Sequence, residues 1–235
     1  MFQHAADANI IIKSPFAKLK AGKQVDSTRQ VFVDREKAEA VIAAAPDAEW
    51  RLIIALARYG GLRCPSEFLP LKWTDVDWER DRFRVTSPKT EHYEGKGERW
   101  VPIFPELRPY LEEAFDLAAV GAECVIGRYR LKNANLRTRF ERIIRKAGLE
   151  PWERLFHNLR ASRQTELTDI FPAHVVAKWL GNSVKVANDH YLQVTDEHFA
   201  LAAQKSGAKS GAEAAQKAAQ HRARTEQKNP WRPKG

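Results

Sequence analysis

Residues 60–67 read GGLRCPSE. Paired glycines close a helix, because the left-handed conformation that ends one is open to glycine. Arg63 therefore projects from a turn instead of packing inside a helix, and Glu67, four residues on, is within reach to orient its guanidinium. Taken alone, an arginine after a helix cap is an ordinary surface residue. Ahead of the turn, Trp50, Ile53, Ile54, Leu56 and Ala57 fit a largely buried helix. Pro46 and Asp47 break and restart the chain before it, and Asp34 suits the N-cap of an earlier helix over Arg35–Ala45. A short helix around Ser66–Leu71 is expected to follow.

Farther along, Arg82–Thr86 alternates in the manner of a strand, and Trp100–Ile103 can be its partner. His92–Gly97 between them is a polar turn region with two glycines. Lys89, in SPKT (87–90), would sit near the tip of that hairpin, where a lysine is usually just solvated. Pro105–Leu117 and Asn135–Ala147, the latter closed by Gly148, read as helices. Leu155–Thr168 and Pro172–Leu180 follow, then a short helix carrying Asn188–Leu192. The expected fold class is α+β, mainly α-helical, with one small antiparallel β-sheet.

Three further clusters carry chemistry. In HNLR, the i to i+3 spacing puts His157 and Arg160 on one helical face. A cation beside an imidazole suits a phosphate better than a metal, although a polar helix face is common. In WLGNS (179–183) a helix ends at Gly181, and Asn182 and Ser183 are placed to donate hydrogen bonds near that end; the bland alternative is a glycine cap. In HYLQV, Tyr191 follows the largely polar run VKVAND, so its hydroxyl can be presented, while a tyrosine inside a packed helix is the more frequent case.

The chain has 235 residues, 43% of them hydrophobic. That suffices for one core plus extensions. No apolar run of membrane-spanning length occurs, and Ile10–Ile12 is too short for a secretory signal. Cys64 and Cys124 supply neither a disulfide framework nor metal spacing, and no H-E-x-x-H or C-x-x-C is present. No metal and no cofactor are expected, and cytoplasmic residence is the default.

The formal net charge of +9 points to a polyanionic partner. Residues 201–235 contribute eight Lys or Arg against two Glu; the rest holds 31 against 28, so any footprint in the body is local. It falls in residues 127–146, GRYRLKNANLRTRFERIIRK, with eight Lys or Arg and one Glu. Phe140, Ile143, Ile144 and Ala147 suit the core there. Arg128, Arg130, Arg137, Arg139, Arg142 and Lys146 are the candidates for contact with double-stranded DNA. An ordinary solvated face is the competing reading, but the charge density favours DNA. From Ala200 onward the chain is low in variety and nearly devoid of bulky apolar residues, a basic helix or a disordered tail.

Five features thus stand in order: GGLRCPSE, SPKT, HNLR, WLGNS and HYLQV. Their order and spacing resemble the tyrosine recombinase and phage integrase family, over roughly Val31–Phe199. LKWTDVDWERDRFRV (71–85) and RWVPIFPEL (99–107) resemble the family segments flanking the hairpin. The resemblance implies a metal-independent DNA strand transferase. Tyr191 would be the nucleophile that forms a 3′-phosphotyrosine link. Arg63 and Arg160 would clamp the phosphate, with Glu67 in support. Lys89 would protonate the departing 5′-oxygen, His157 would hold or accept protons, and Asn182 would donate to the same phosphate. It also implies a homotetramer on two DNA duplexes and a groove-entering helix within the basic segment, where Arg137 and Arg139 lie.

One departure is visible: the family usually has His or Trp where Asn182 stands, and asparagine can still donate a hydrogen bond. Family members carry a separate N-terminal DNA-clamping domain, for which this chain lacks room. Residues 1–30 are read as a linker from such a core-binding domain, since SPFAKLK resembles the junction after it. Residues 31–199 are read as the catalytic domain and 200–235 as a basic tail. Two other readings remain. A DNA-binding module of the same fold, weak or inactive in catalysis, has only Asn182 in its favour. A type IB topoisomerase-like enzyme shares the chemistry but relaxes supercoils. A metal-dependent nuclease is the remote fallback.

Overall fold

The computed structural model describes residues 2–13, 29–87, 97–130 and 135–202. The chain divides into two units, Met1–Tyr191 and Leu192–Gly235. Lys89, the expected hairpin tip, most of the expected linker and most of the basic tail lie outside the described residues.

In the first unit, helix α1 (Phe2–Asp7) falls where the sequence offered little periodicity. Helix α2 (Arg35–Ala43) starts where Asp34 accepts the Lys37 amide at 2.8 Å. Helix α3 (Ala48–Arg58) starts where Asp47 accepts the Trp50 amide at 2.9 Å. Each carboxylate satisfies an amide that the first helical turn leaves orphaned. Apart from Glu49 and Arg51, every residue of α3 is buried. It is the central rod, packed against α2, α4 (Arg108–Asp116) and α6 (Leu155–Ile170).

The sheet has three strands in the order β1-β2-β3, all antiparallel: β1 (Val76–Asp77), β2 (Arg82–Thr86) and β3 (Glu98–Pro102). The expected hairpin pairs with Phe83 opposite Val101 and Val85 opposite Arg99. Phe83, Val85 and Val101 turn inward and are buried. The two-residue β1 is too short to show a period in the sequence.

Ser66–Leu71 is not the expected helix. Isolated turns form instead, with the Glu67 amide bonded to the Arg63 carbonyl at 3.0 Å, the Leu69 amide to that of Pro65 at 3.2 Å and the Leu71 amide to that of Phe68 at 3.3 Å. Pro70 has no amide to continue the ladder, and its ring disfavours the helical conformation at Leu69.

Helix α5 (Leu136–Lys146) buries Leu136, Phe140, Ile143 and Ile144. Phe140 stacks on Phe156 of α6 with centroids 4.5 Å apart, and on Trp50 of α3 at 6.4 Å. Helices α7 (Ala173–Leu180) and α8 (Val184–His190) complete the unit. An ionic seam that the sequence did not suggest joins α3 to α6. Fully buried Arg58 pairs with Glu166 at 2.9 Å, and Arg163 donates to the Tyr59 carbonyl at 2.9 Å and to Glu106 at 3.2 Å. Such charges are tolerable inside only because they are paired.

In the second unit, residues 196–202 are helical. The Thr195 amide donates to Nδ1 of His198 at 3.0 Å, and the His198 amide to the Thr195 carbonyl at 3.1 Å. This reciprocal pairing caps the helix start. No described helix is long and apolar enough to cross a membrane.

Candidate functional site

Glu67 is the hub. Its side chain is 1% exposed and faces three guanidiniums. Arg63 donates to it from Nη1, and from its backbone amide at 2.8 Å. Arg99 donates in bidentate fashion, Nη1 to Oε1 at 3.0 Å and Nη2 to Oε2 at 2.7 Å. Nη1 of Arg160 stands 3.8 Å from Oε2. The Ser87 hydroxyl donates to Oε1 at 2.9 Å and accepts from Nη1 of Arg99 at 2.6 Å. Burial alone would push the carboxyl pKa up, but Arg99, Arg160 and Arg63 outweigh it and hold it down at about 2.

Two glycine turns bring the arginines together. Nη2 of Arg63 donates to the Gly181 carbonyl at 2.8 Å, while Arg160 donates to the Gly61 carbonyl and, at 2.6 Å, to that of Leu180. Each arginine thus braces the turn beside the other. Both glycines have positive φ, 64° at Gly61 and 71° at Gly181. A Cβ at Gly61 would lie 2.3 Å from Leu180, and one at Gly181 would lie 3.0 Å from the Arg99 side chain. Only glycine permits the backbone and the close approach together. Burial, with Arg63 nearby, lowers the Arg160 pKa to about 10, so its guanidinium stays charged at neutral pH.

His157 and Arg160 share one face of α6, as their spacing predicts, and Tyr191 lies against that face. The Tyr191 and His157 rings stack, centroids 4.8 Å apart, and Cζ of Arg160 lies 5.2 Å from the centroid of the Tyr191 ring. Tyr191 itself is not inside a helix, contrary to expectation. Ser183 caps α8, accepting the Val186 amide at 3.2 Å, and the helix ends at His190. Tyr191 still donates its amide to Ala187, but its backbone leaves the helical region, at φ −123° and ψ −41°, and its carbonyl accepts from the Thr165 hydroxyl at 3.5 Å.

Asn182 follows the Gly181 cap. Its Nδ2 donates to Oε1 of buried Gln164 at 3.0 Å, and its Oδ1 is buried with no hydrogen-bond partner among the described residues. Nδ2 carries a second proton, so a donor remains. Arg63, Glu67, Arg160, Tyr191 and His157 therefore form one connected cluster, and Asn182 stands at its edge, next to the Gly181 carbonyl that Arg63 holds.

Arg99, Ser87 and Gln164 belong to the cluster, yet sequence reasoning assigned none of them a role. A signal for Arg99 was present. It stands two residues before Val101, on the strand face that turns inward, where a charged side chain needs a partner.

The basic candidates lie apart from this hub, on and before α5. Arg137 pairs with Glu141 at 3.1 Å, and Cζ of Arg139 lies 5.0 Å from the Tyr129 ring centroid. Arg130 donates to the Leu69 carbonyl, and Lys146 to the Ala44 carbonyl at 3.1 Å. Arg128 lies 3.8 Å from Asp47 and 3.7 Å from Glu49. The Arg142 and Arg145 side chains are exposed and make no ion pair or hydrogen bond among the described residues. Phe140 links this helix to α6 through its stack on Phe156, immediately before His157.

No curated protein sequence matches the chain. Several solved structures share its fold. XerA recombinase is 22% identical, with 75% of this chain and 65% of that one covered and a TM-score of 0.62. A lambda integrase tetramer bound to a Holliday junction is 19% identical, over 83% of this chain and 58% of that one, with a TM-score of 0.60. The Tn1549 transposon integrase in complex with transposon right-end DNA is 15% identical, over 88% of this chain and 75% of that one, with a TM-score of 0.62. The chain spans less than two thirds of the length of the first two. The mainly helical fold with its small antiparallel sheet is that of tyrosine recombinase catalytic domains. A phage integrase family model matches residues 32–198, most of the chain and all of the cluster around Glu67, and the chain belongs to that family.

Proposed function

We propose that this chain cleaves and rejoins DNA at specific sites through a covalent link to Tyr191. The observation that carries the reading is the packing of Tyr191 against His157 and Arg160, with Arg160 and Arg63 meeting at Glu67. The Tyr191 oxygen attacks a DNA phosphorus, the bond to the 5′-oxygen breaks, and a 3′-phosphotyrosine forms. The departing oxygen takes a proton, for which Lys89, outside the described residues, is the proposed donor, while His157 manages the phenol proton. A 5′-hydroxyl then attacks the link, releasing the phenol and resealing the strand. The bond energy is conserved in the link, so no ATP is required. Arg63 and Arg160 supply the positive charge that the developing phosphorane needs, in a fork suited to phosphate, so no metal is invoked.

The partners in this reading are double-stranded DNA and further copies of the chain, four on two duplexes. The lambda integrase tetramer on a Holliday junction shares the fold and supports this stoichiometry. Exposed cations on α5 would hold the duplex. Residence in the cytoplasm, with the DNA it acts on, belongs to the same reading. A binding module of weak catalysis stays as a second reading, favoured by the commitment of Asn182 to Gln164.

Incubation with a nicked suicide substrate, followed by denaturing electrophoresis and mass mapping, tests the proposal. A DNA adduct on Tyr191 that resists EDTA is the expected result. A binding module would retain DNA without an adduct, and loss of cleavage in EDTA would identify a metal-dependent nuclease. Relaxation of supercoils without exchange products between two duplexes would favour a topoisomerase.

A further inference from the structure

Arg99 carries a charge into the hub, yet its donors are almost all engaged. Nε donates to the Trp179 carbonyl at 2.7 Å, Nη1 to Glu67 and Ser87, and Nη2 to Glu67. A guanidinium has five N–H donors, so one is left, too few for a bidentate phosphate contact. Arg63 and Arg160 differ: the guanidinium of Arg63 makes one bond to Glu67 and one to Gly181, and that of Arg160 one to Gly61 and one to Leu180, which leaves three donors on each.

From this geometry we infer that Arg99 is a positioning residue, which neutralises and orients Glu67 so that Arg63 and Arg160 remain available to the scissile phosphate. The inference rests on the strand-transfer reading above. Arg99 spans three parts of the fold. It stands on β3, grips the carboxylate that follows the Gly61 turn, and holds the last turn of α7 just before Gly181 and Asn182. Without it, Glu67 must either draw Arg63 and Arg160 inward as its only counter-charges or take up a proton. Either outcome moves the clamp away from the geometry that the phosphate needs. Misplacement of this kind slows a chemical step far more than it weakens binding.

The test compares wild type, Arg99→Met, Arg99→Lys and the double variant Arg99→Met/Glu67→Gln on the nicked suicide substrate. Adduct rate at saturating DNA, DNA affinity and melting temperature are measured between pH 5.5 and 8. Arg99→Met is expected to lose roughly 10- to 100-fold in adduct rate with little change in DNA affinity. Its loss should deepen towards pH 5.5, because Glu67 without Arg99 takes a proton at a higher pH. The double variant should lack that added acid loss, and Arg99→Lys should recover part of the rate by restoring the charge. Arg99→Lys extends the test if Arg99→Met does not fold. A wild-type rate in Arg99→Met, or in Arg99→Lys a loss that only follows the folded fraction with an unaltered pH profile, overturns the inference while leaving the strand-transfer reading in place. Absence of an adduct in the wild type overturns that reading and this inference with it.

Discussion

The ring of Tyr191 lies flat on that of His157, planes 18° apart, with Cζ of Arg160 5.2 Å from its centroid. All of these contacts involve the ring and none involves the hydroxyl. Tyr191→Phe should therefore preserve melting temperature and DNA affinity while abolishing the covalent adduct. A Phe variant that still trapped DNA covalently would show that another residue is the nucleophile.

Arg160 and Arg63 differ in burial, and their variants should differ accordingly. Arg160→Ala strips donors from the Gly61 and Leu180 carbonyls, so it should lower both stability and cleavage, the latter by about 10²- to 10³-fold. Arg63 is more exposed, and Arg63→Ala should lose a similar factor in cleavage with less effect on melting. Arg63→Lys should fail substantially as well, because an ammonium cannot bond Glu67, Gly181 and a phosphate in one plane. Single-turnover cleavage beside thermal melting separates the two effects, and near-normal cleavage by Arg160→Ala would remove it from the clamp.

On α5, the residues without internal partners should matter most to DNA. Arg142→Ala should weaken binding across all sequences and flatten the salt dependence by about one unit if it touches only phosphate. Arg128→Ala, before the helix, should do less, because Asp47 and Glu49 already hold that side chain. Deleting residues 201–235 should lower non-specific affinity at low salt and leave the adduct intact. If that deletion abolished binding while the α5 variants did nothing in a salt series, the tail and not the helix would be the DNA anchor.

Glu67 also ties stability to pH. Its carboxyl is held down at about 2, below the ordinary carboxylate value, so the folded state favours the ionised form. That contribution is present above the unfolded-state pKa and is lost as pH falls through about 5 towards 2. Melting temperature should drop over this window in wild type, whereas Glu67→Gln should be less stable at neutral pH and show a shallower acid slope. Equal slopes in the two proteins would rule out Glu67 as the titrating group.

Much of the site was legible because its residues announce themselves locally. The glycines before Arg63 mark a turn, the three-residue step from His157 to Arg160 marks a helix face, and Gly181 marks the cap beside Asn182. The partners that hold these groups are non-local, and although the strand pattern turns Arg99 inward, it does not say which group Arg99 meets. Arg99 meets Glu67 across 32 residues of chain and Gln164 meets Asn182 across 18. The helix expected over Ser66–Leu71 failed because Pro70 interrupts it, and the helix expected to carry Tyr191 ends one residue short of it, at His190. The Arg58 and Arg163 seam had no local sign at all, since nothing in either arginine's neighbours tells a buried one from a solvated one.

The crossed braces of Arg63 on Gly181 and Arg160 on Gly61 join positions 118 and 99 residues apart. Contacts of such long range form after local helices, because the intervening chain must first be closed into a loop. A copy still emerging from the ribosome has no α7 turn for Arg63 to grip until the last part of the fold is made. On the strand-transfer reading, a half-made chain, or one cut short before Gly181, would have the arginines of the clamp without the turn that aligns them.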